Sequence, residues 1–454
     1  MARRKKKKTL KKIVELEALQ QINFNAAGLD IGAAEIWVAV PEDRDEQAVR
    51  RFATFTTDLH ALADWLAACR VDTVAMESTG VYWVPIFEIL EARDFEALLV
   101  NARHIKNVTG RKTDVLDCQW IQQLHTYGLL QGSFRPSAEI ATLRAYVRHR
   151  DNLLRYRAAH IQHMQKALHL MNVQLTNVLS DITGQTGMQI IRAVVAGARD
   201  PVTLAQYRDP RCHSTEDEIA KALTGNYRPE HVFALQQAVE LYDFYTQQLQ
   251  TCDAEIEQLY SRFAPKVDVI ANPLPPAKKK RRKNDPDFDL RKQLYQTCGV
   301  DLTRVHGLDS ILVQEIISET GVDMSKWKTS KHFVSWLHLC PYNDISGGKV
   351  LKSKTGKTTN RANRAFRLAA RSAGKGDSAI GAFYRRQRAK HGAPKAITAT
   401  AHKIARIVYH LLKYQEEYHD SGREAYEAQY QARMLKNLQR KAKKLGMKLE
   451  PLAA

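Results

Sequence analysis

The sequence predicts three parts in succession: an α/β sheet domain, a long helical middle expected to form a coiled coil, and a mostly α C-terminal domain. Three observations carry this prediction. Between about residues 24 and 135, short β-rich runs alternate with helical ones. Residues 138–180 and 230–263 hold long helical patterns with few glycines. From 295 onward helical spacing dominates again.

In chain order, Ala26–Ile31 and Glu35–Val40 read as strands, the second alternating Ile36, Val38 and Val40 with polar or small neighbours. Val49–Phe55 can be a third strand. A helix through Leu59, Leu62, Ala63 and Leu66 precedes a buried strand from Val71 to Met76. Another helix through Ile86, Ile89 and Leu90 leads to Leu98–Val100, and a further helix opens near Thr113. Such an order makes a mixed sheet covered by helices. In the second long helix, Leu235, Val239, Tyr242, Thr246, Leu249, Asp253, Ile256, Tyr260 and Phe263 follow a strict 3.5-residue ladder, the pattern of a coiled-coil seam. That seam can close on 138–180 or on another subunit. Pro273, Pro275, Pro276 and Lys278–Lys283 read as a mobile, phosphate-attracting linker. The predicted parts are a basic tail (1–20), the sheet domain (21–137), the helical region (138–264), the linker (265–294), the C-terminal domain (295–420) and a basic helical tail (421–454).

Composition narrows the function. The 454 residues are 44% hydrophobic, which excludes a wholly disordered chain. Lys and Arg number 69 against 49 Asp and Glu, a net charge of +20 that points to a polyanionic partner. No run approaches the ~20 apolar residues of a membrane span, and the basic start, Arg3 to Lys8, lacks the apolar stretch of a signal peptide. An intracellular protein with no membrane partner is expected. Six dispersed cysteines without a CxxC argue against a zinc ribbon or a disulfide framework.

Four acids stand out. Asp30 interrupts an apolar strand within Gly28-Leu29-Asp30-Ile31-Gly32, where an unpartnered carboxylate is costly. Glu77 ends the strand Val74-Ala75-Met76. Asp114 and Asp117 lie three apart at a helix start, so they share one face. Taken singly, Asp114 can be a helix cap and Glu77 a surface acid. Taken together, converging carboxylates call for divalent cations, and oxygen ligands select Mg2+ or Mn2+.

These residues carry a resemblance. Gly28-Leu29-Asp30-Ile31-Gly32, Met76-Glu77-Ser78-Thr79-Gly80-Val81-Tyr82 and Lys112-Thr113-Asp114-Val115-Leu116-Asp117 resemble the RuvC-like DEDD domain of the IS one-ten family of insertion-sequence transposases, the bridge-RNA-guided recombinases. Asn101 and Lys106 fall in the same stretch, which spans about 24–135. The resemblance implies an RNase H/RuvC-like fold for the first domain. It also implies Asp30, Glu77, Asp114 and Asp117 as catalytic metal ligands, and Lys106 as a nucleic-acid contact.

In the C-terminal domain, Val305-His306-Gly307-Leu308 turns into a helix through Ile311, Val313, Ile316 and Ile317. It is similar to a hairpin-like segment of the family, though His306-Gly307 stands where the family usually has Pro-Gly. A plain helix–turn–helix without nucleic acid fits as well. Between Ile345 and Gly376 there are nine Lys and Arg and no acid, and Arg361, Arg364, Arg367 and Arg371 form one helical stripe. With no acid nearby to balance it, the stripe is expected to contact a nucleic-acid backbone, as is Lys349.

Ser346 precedes Gly347-Gly348 and, on residues alone, is a loop serine. The resemblance of 300–375 to the family's second block implies that Ser346 is the nucleophile, with Ser353 the runner-up. It further implies an RNA-guided DNA recombinase working through a covalent phosphoserine with Mg2+ (or Mn2+). Donor and target DNA and a bridge RNA would be its partners, with assembly as a homo-oligomer (dimer or tetramer) in the bacterial cytoplasm or nucleoid. A RuvC-like nuclease or junction resolvase that uses water is the alternative, and a nucleic-acid scaffold is the non-enzymatic one. The absence of any HxxR disfavours a tyrosine recombinase.

Overall fold

The computed structural model describes residues 20–78, 80–101, 114–276 and 281–450, with residues 114–116 as backbone alone. The chain forms two compact units divided between Arg135 and Pro136. In the first, the elements are β1 (Ala26–Ile31), β2 (Glu35–Ala39), β3 (Val49–Ala53), α1 (Thr56–Ala68), β4 (Thr73–Glu77), α2 (Trp83–Ala92), β5 (Glu96–Val100) and α3 (Asp114–Thr126). The sheet order is β3-β2-β1-β4-β5. The β1–β2 and β2–β3 pairs are antiparallel; β1–β4 and β4–β5 are parallel. This mixed sheet fits the expected RNase H/RuvC-like domain.

Strand alternation sorts the sheet into two faces. Leu29, Val74 and Met76 face a core built with Leu62 and Leu66 of α1 and Ile86 and Leu90 of α2. On the opposite face Ala75 and Val100 pack with Ile121 of α3. The sheet is therefore covered on both sides, and β1 lies at its centre.

The second unit is built on a helical hairpin. Helix α4 (Ala138–Leu170) packs along α9 (Pro229–Arg262). Of the two expected uses of the α9 seam, the chain shows the internal one. Seven of its nine rungs are buried, from Leu235 to Tyr260, with Thr246 and Phe263 partly exposed. The two polar rungs are partnered across the hairpin: Arg150 Nε donates to Asp253 Oδ1 at 2.5 Å, and an Arg157 guanidinium N–H reaches the Thr246 hydroxyl at 3.4 Å. The expected helix over 138–180 stops at Leu170 because the chain turns at Met171–Asn172, where Asn172 takes a positive φ. Four shorter helices follow, α5 (Leu175–Val178), α6 (Gln185–Val195), α7 (Pro201–Ala205) and α8 (Glu216–Ala222), and share one core with Met164, Leu168, Leu235 and Val239 of the hairpin.

The Pro/Lys/Arg segment departs from the expected free linker. Lys278–Lys280 lie outside the described residues, but Arg281 pairs with Asp287, Arg282 with Asp309 at 3.0 Å and Lys283 with Asp181 at 3.0 Å. Asn284 accepts from Arg150 and Arg157 through its carbonyl and its side chain. Two of these acids, Asp309 and Asp181, come from distant parts of the chain, which a local reading of charge does not register.

Helices α10 (Leu290–Cys298), α11 (Ser310–Thr320), α12 (Ser330–Trp336), α13 (Arg361–Ala373), α14 (Ala379–His391), α15 (Ala393–Tyr414) and α16 (Gly422–Lys444) complete the unit. An aromatic core of Trp327, Phe333, Phe366 and Tyr409 ties α12, α13 and α15 together. Gly307 lies at φ +99° against α13, where a side chain would collide with the Ala369 carbonyl. Between α12 and α13 runs a two-stranded antiparallel ribbon, β6 (Pro341–Ser346) and β7 (Lys349–Thr355). Among the described residues no helix is long and apolar enough to cross a membrane.

Candidate active site

The acids of the first unit are placed by strand register. Leu29 pairs with Met76 across the parallel β1–β4 ladder, so Asp30 and Glu77 are the next positions on neighbouring strands. By alternation they follow Gly28 and Ala75, and both belong to the face that α3 covers. Asp30 and Glu77 are half-buried at the C-terminal ends of their strands.

Helix α3 brings the remaining acids to the same end. It lies so close to β1 that any side chain at residue 28 would collide with the backbone of Cys118 and Gln122; glycine is required there for that approach. Moving back along the helix, His125 Nε2 meets Thr73 Oγ1 at 2.8 Å, Ile121 packs on Ala75, and Asp117 lies one turn further toward Glu77. Electrostatics agree with this placement. Burial, opposed by a backbone hydrogen bond from Gln119 and reinforced by the charges of Asp30 and Asp117, pushes the Cys118 thiol up to about 12. Asp114 opens the helix, but its side chain lies outside the described residues, as does all of Lys106. Asp117 itself is exposed.

Among the described residues no three His, Cys, Asp or Glu side chains converge as a metal site. Asp30, Glu77 and Asp117 share one end of the sheet without closing on a common point. The donor set is carboxylate oxygen throughout, the chemistry that suits Mg2+ or Mn2+ rather than zinc.

Ser346 has a different setting. It ends β6 and pairs with Lys349 of β7 across the two-residue turn Gly347-Gly348. Both glycines take positive φ, +54° and +74°, as a tight hairpin turn demands. No atom crowds either one within 4 Å of where a side chain would begin. Every residue from Pro341 to Lys354 is exposed. The runner-up, Ser353, faces Asn343 midway down the ribbon. Ser346 thus sits at a strand end on a hairpin tip, where the sequence suggested a loop.

The arginine stripe is only partly as expected. Arg361 pairs with Asp151 at 3.2 Å, and Arg364 with Glu315 at 2.7 Å and Asp151 at 3.9 Å. Acids from α4 and α11 therefore balance half of a stripe that looked unbalanced along the sequence. Burial raises the Glu315 carboxyl, while its bond to Arg364 opposes that shift. Arg367 donates to the Thr398 hydroxyl at 3.2 Å. Arg371 is exposed. All four line a cleft of about 680 Å³ at the base of the ribbon, together with His338, Thr355, Gly356, Thr358, Thr359 and Asn360. Sequence reasoning missed this cleft. The small residues around Asp30 suit close approach of another backbone, and Gly28 beneath Cys118 and Gln122 is such an approach.

Comparison with known families gives two matches. Residues 27–173 match a family model of the DEDD IS110 type described as Transposase. Residues 300–385 match one described as Transposase IS116/IS110/IS902 family. The first match runs from the sheet through α3 and the whole of α4; the second runs from before α11 through the ribbon into α14. Comparison with curated proteins gives no match.

Proposed function

Because the chain belongs to the IS110 family of transposases, whose members cleave and rejoin DNA, we propose that it is an RNA-guided site-specific recombinase acting through a covalent phosphoserine. Asp30, Glu77, Asp114 and Asp117 would hold the divalent metal, and Ser346 would supply the nucleophile. The observation that carries this reading is the alignment of Asp30 and Glu77 on one face of adjacent parallel strands, beneath the start of α3.

In the reaction, the Ser346 Oγ attacks a backbone phosphorus. An Oγ–P bond forms, the P–O bond to one deoxyribose breaks, the serine proton is lost, and the leaving oxygen takes up a proton. Attack by the terminal hydroxyl of a different strand reverses these steps and frees the serine, so rejoining requires no ATP. A bound Mg2+ or Mn2+ would supply charge neutralisation for the phosphoryl transfer. The four carboxylates would hold it. The ribbon presents the hydroxyl without steric cover, while Lys349, Arg367 and Arg371 attract the phosphate backbone.

The acids belong to one unit and the serine to the other, so nucleophile and carboxylates must be brought together in the assembled complex, within one chain or between subunits of a dimer or tetramer. A site built this way reacts only when donor and target DNA and a guide RNA are correctly arranged. Ser346→Ala is expected to bind DNA normally and form no covalent adduct; Asp30→Asn is expected to lose cleavage as well. Normal plasmid recombination by Ser346→Ala would end the nucleophile assignment. Cleavage without any protein–DNA bond would favour the water-using nuclease.

A further inference from the structure

The ribbon that presents Ser346 carries a feature that nucleophilic attack does not require. Ile345, Val350 and Leu351 are 62, 56 and 71% exposed at its tip. Ile345 and Val350 are cross-strand partners, immediately behind the Ser346–Lys349 pair. The register slips between Asp344 and Ile345, so Leu351 is an extra residue on β7; such irregularities re-aim side chains. Lys349, Lys352 and Lys354 flank the apolar trio, answered on the ribbon by Asp344 alone. The cationic cleft follows at the base.

An apolar tip on a cationic two-stranded ribbon is complementary to duplex DNA. Two-stranded ribbons enter DNA grooves, lysines meet phosphates on either side, and from the minor groove apolar side chains can enter between base steps. A protein partner would have to offer an apolar patch rimmed by acid, and the run of lysines reaching to the cleft makes the longer anionic partner the better match.

We infer that Ile345, Val350 and Leu351 form a wedge that unstacks the DNA step beside the phosphate attacked by Ser346. Ile345 adjoins that serine on β6, and alternation sends the two side chains to opposite faces of the ribbon, so the hydroxyl meets a backbone phosphate while the apolar face meets the bases beside it. This inference rests on the proposed role of Ser346.

The test uses the full chain with its copurifying RNA and a synthetic duplex spanning the junction between the encoding element and its flank, with 2-aminopurine placed in turn at each step. Binding is expected to raise fluorescence severalfold at one step, and Ser346→Ala keeps that rise because the wedge does not need the hydroxyl. The triple variant Ile345→Ser, Val350→Ser, Leu351→Ser is expected to bind the duplex within about threefold of the parent, lose the fluorescence rise, and form adduct about 10- to 100-fold more slowly. A mismatch at that step is expected to restore its rate. If the parent leaves every step dark, or the mismatch fails to rescue the variant, the wedge is overturned and the apolar tip is a protein-docking surface. An adduct formed by Ser346→Ala would instead overturn the nucleophile reading, independently of the fluorescence.

Discussion

The two halves of the candidate site are held in opposite ways. Asp30 and Glu77 end strands of a sheet covered on both faces, and α3 is pressed onto that sheet at Gly28. Ser346 ends a two-stranded ribbon exposed along its length, and such a ribbon has little stability of its own in water. One half is fixed by core packing before any substrate arrives. The other has no core of its own to fix it.

The largest expected effect breaks function in both halves while separating neither from the fold. Asp30→Asn and Ser346→Ala should each lower recombination by about 10³-fold or more, with melting temperatures within about 1 °C of the parent. If Ser346→Ala also destabilised the protein, the serine would have a packing role that an exposed tip does not provide. A buried contact supplies the contrasting case. Asp253→Asn leaves Arg150 buried without its charge partner, and should cost about 3–5 kcal/mol in urea unfolding. Exposed pairs such as Lys352–Asp344 at 3.9 Å should cost under about 1 kcal/mol.

Glycine variants sharpen the comparison. Gly28→Ala forces α3 away from β1 and should cost about 1–3 kcal/mol or more, along with activity, because Asp114 and Asp117 move with the helix. Gly348→Ala strains only the ribbon turn. Global stability should stay within about 0.5 kcal/mol while the adduct rate falls. Equal melting losses for the two would contradict the assignment of a fixed half and an exposed half.

The smallest effect is a pH dependence. Burial lowers the His125 pKa below its ordinary 6.5, opposed by the charge of Asp72. The folded unit therefore holds this imidazole neutral, whereas the unfolded chain takes up a proton as pH falls past 6.5. The stability contribution is fully present above 6.5 and declines below it. Melts at pH 7.5, 6.5 and 5.5 should show this slope, and His125→Gln should flatten it.

Much of the first unit was legible because its strands alternate cleanly. Ile36, Val38 and the Val71–Met76 run gave the strands, and Asp30 stood out because a carboxylate does not belong in such a run. What stayed hidden depends on partners distant in sequence. Asp151 and Glu315 neutralise Arg361 and Arg364 from α4 and α11. Asp181 and Asp309 tether a segment that reads locally as a loose linker. The ribbon was missed for a different reason. Its Gly347-Gly348 pair is a hairpin signal, but the segment read as a loop within a mostly helical domain.

The proposed reaction requires joint action of the sheet-end acids and the hairpin-tip hydroxyl. Its most direct test is to trap the protein–DNA adduct formed with Mg2+ under denaturing conditions, digest both polymers and locate the modified residue by mass spectrometry. The prediction is a nucleotide on Ser346, absent when Asp30 is Asn. A nucleotide on Ser353 or on any tyrosine, or an adduct that survives Asp30→Asn undiminished, would contradict it.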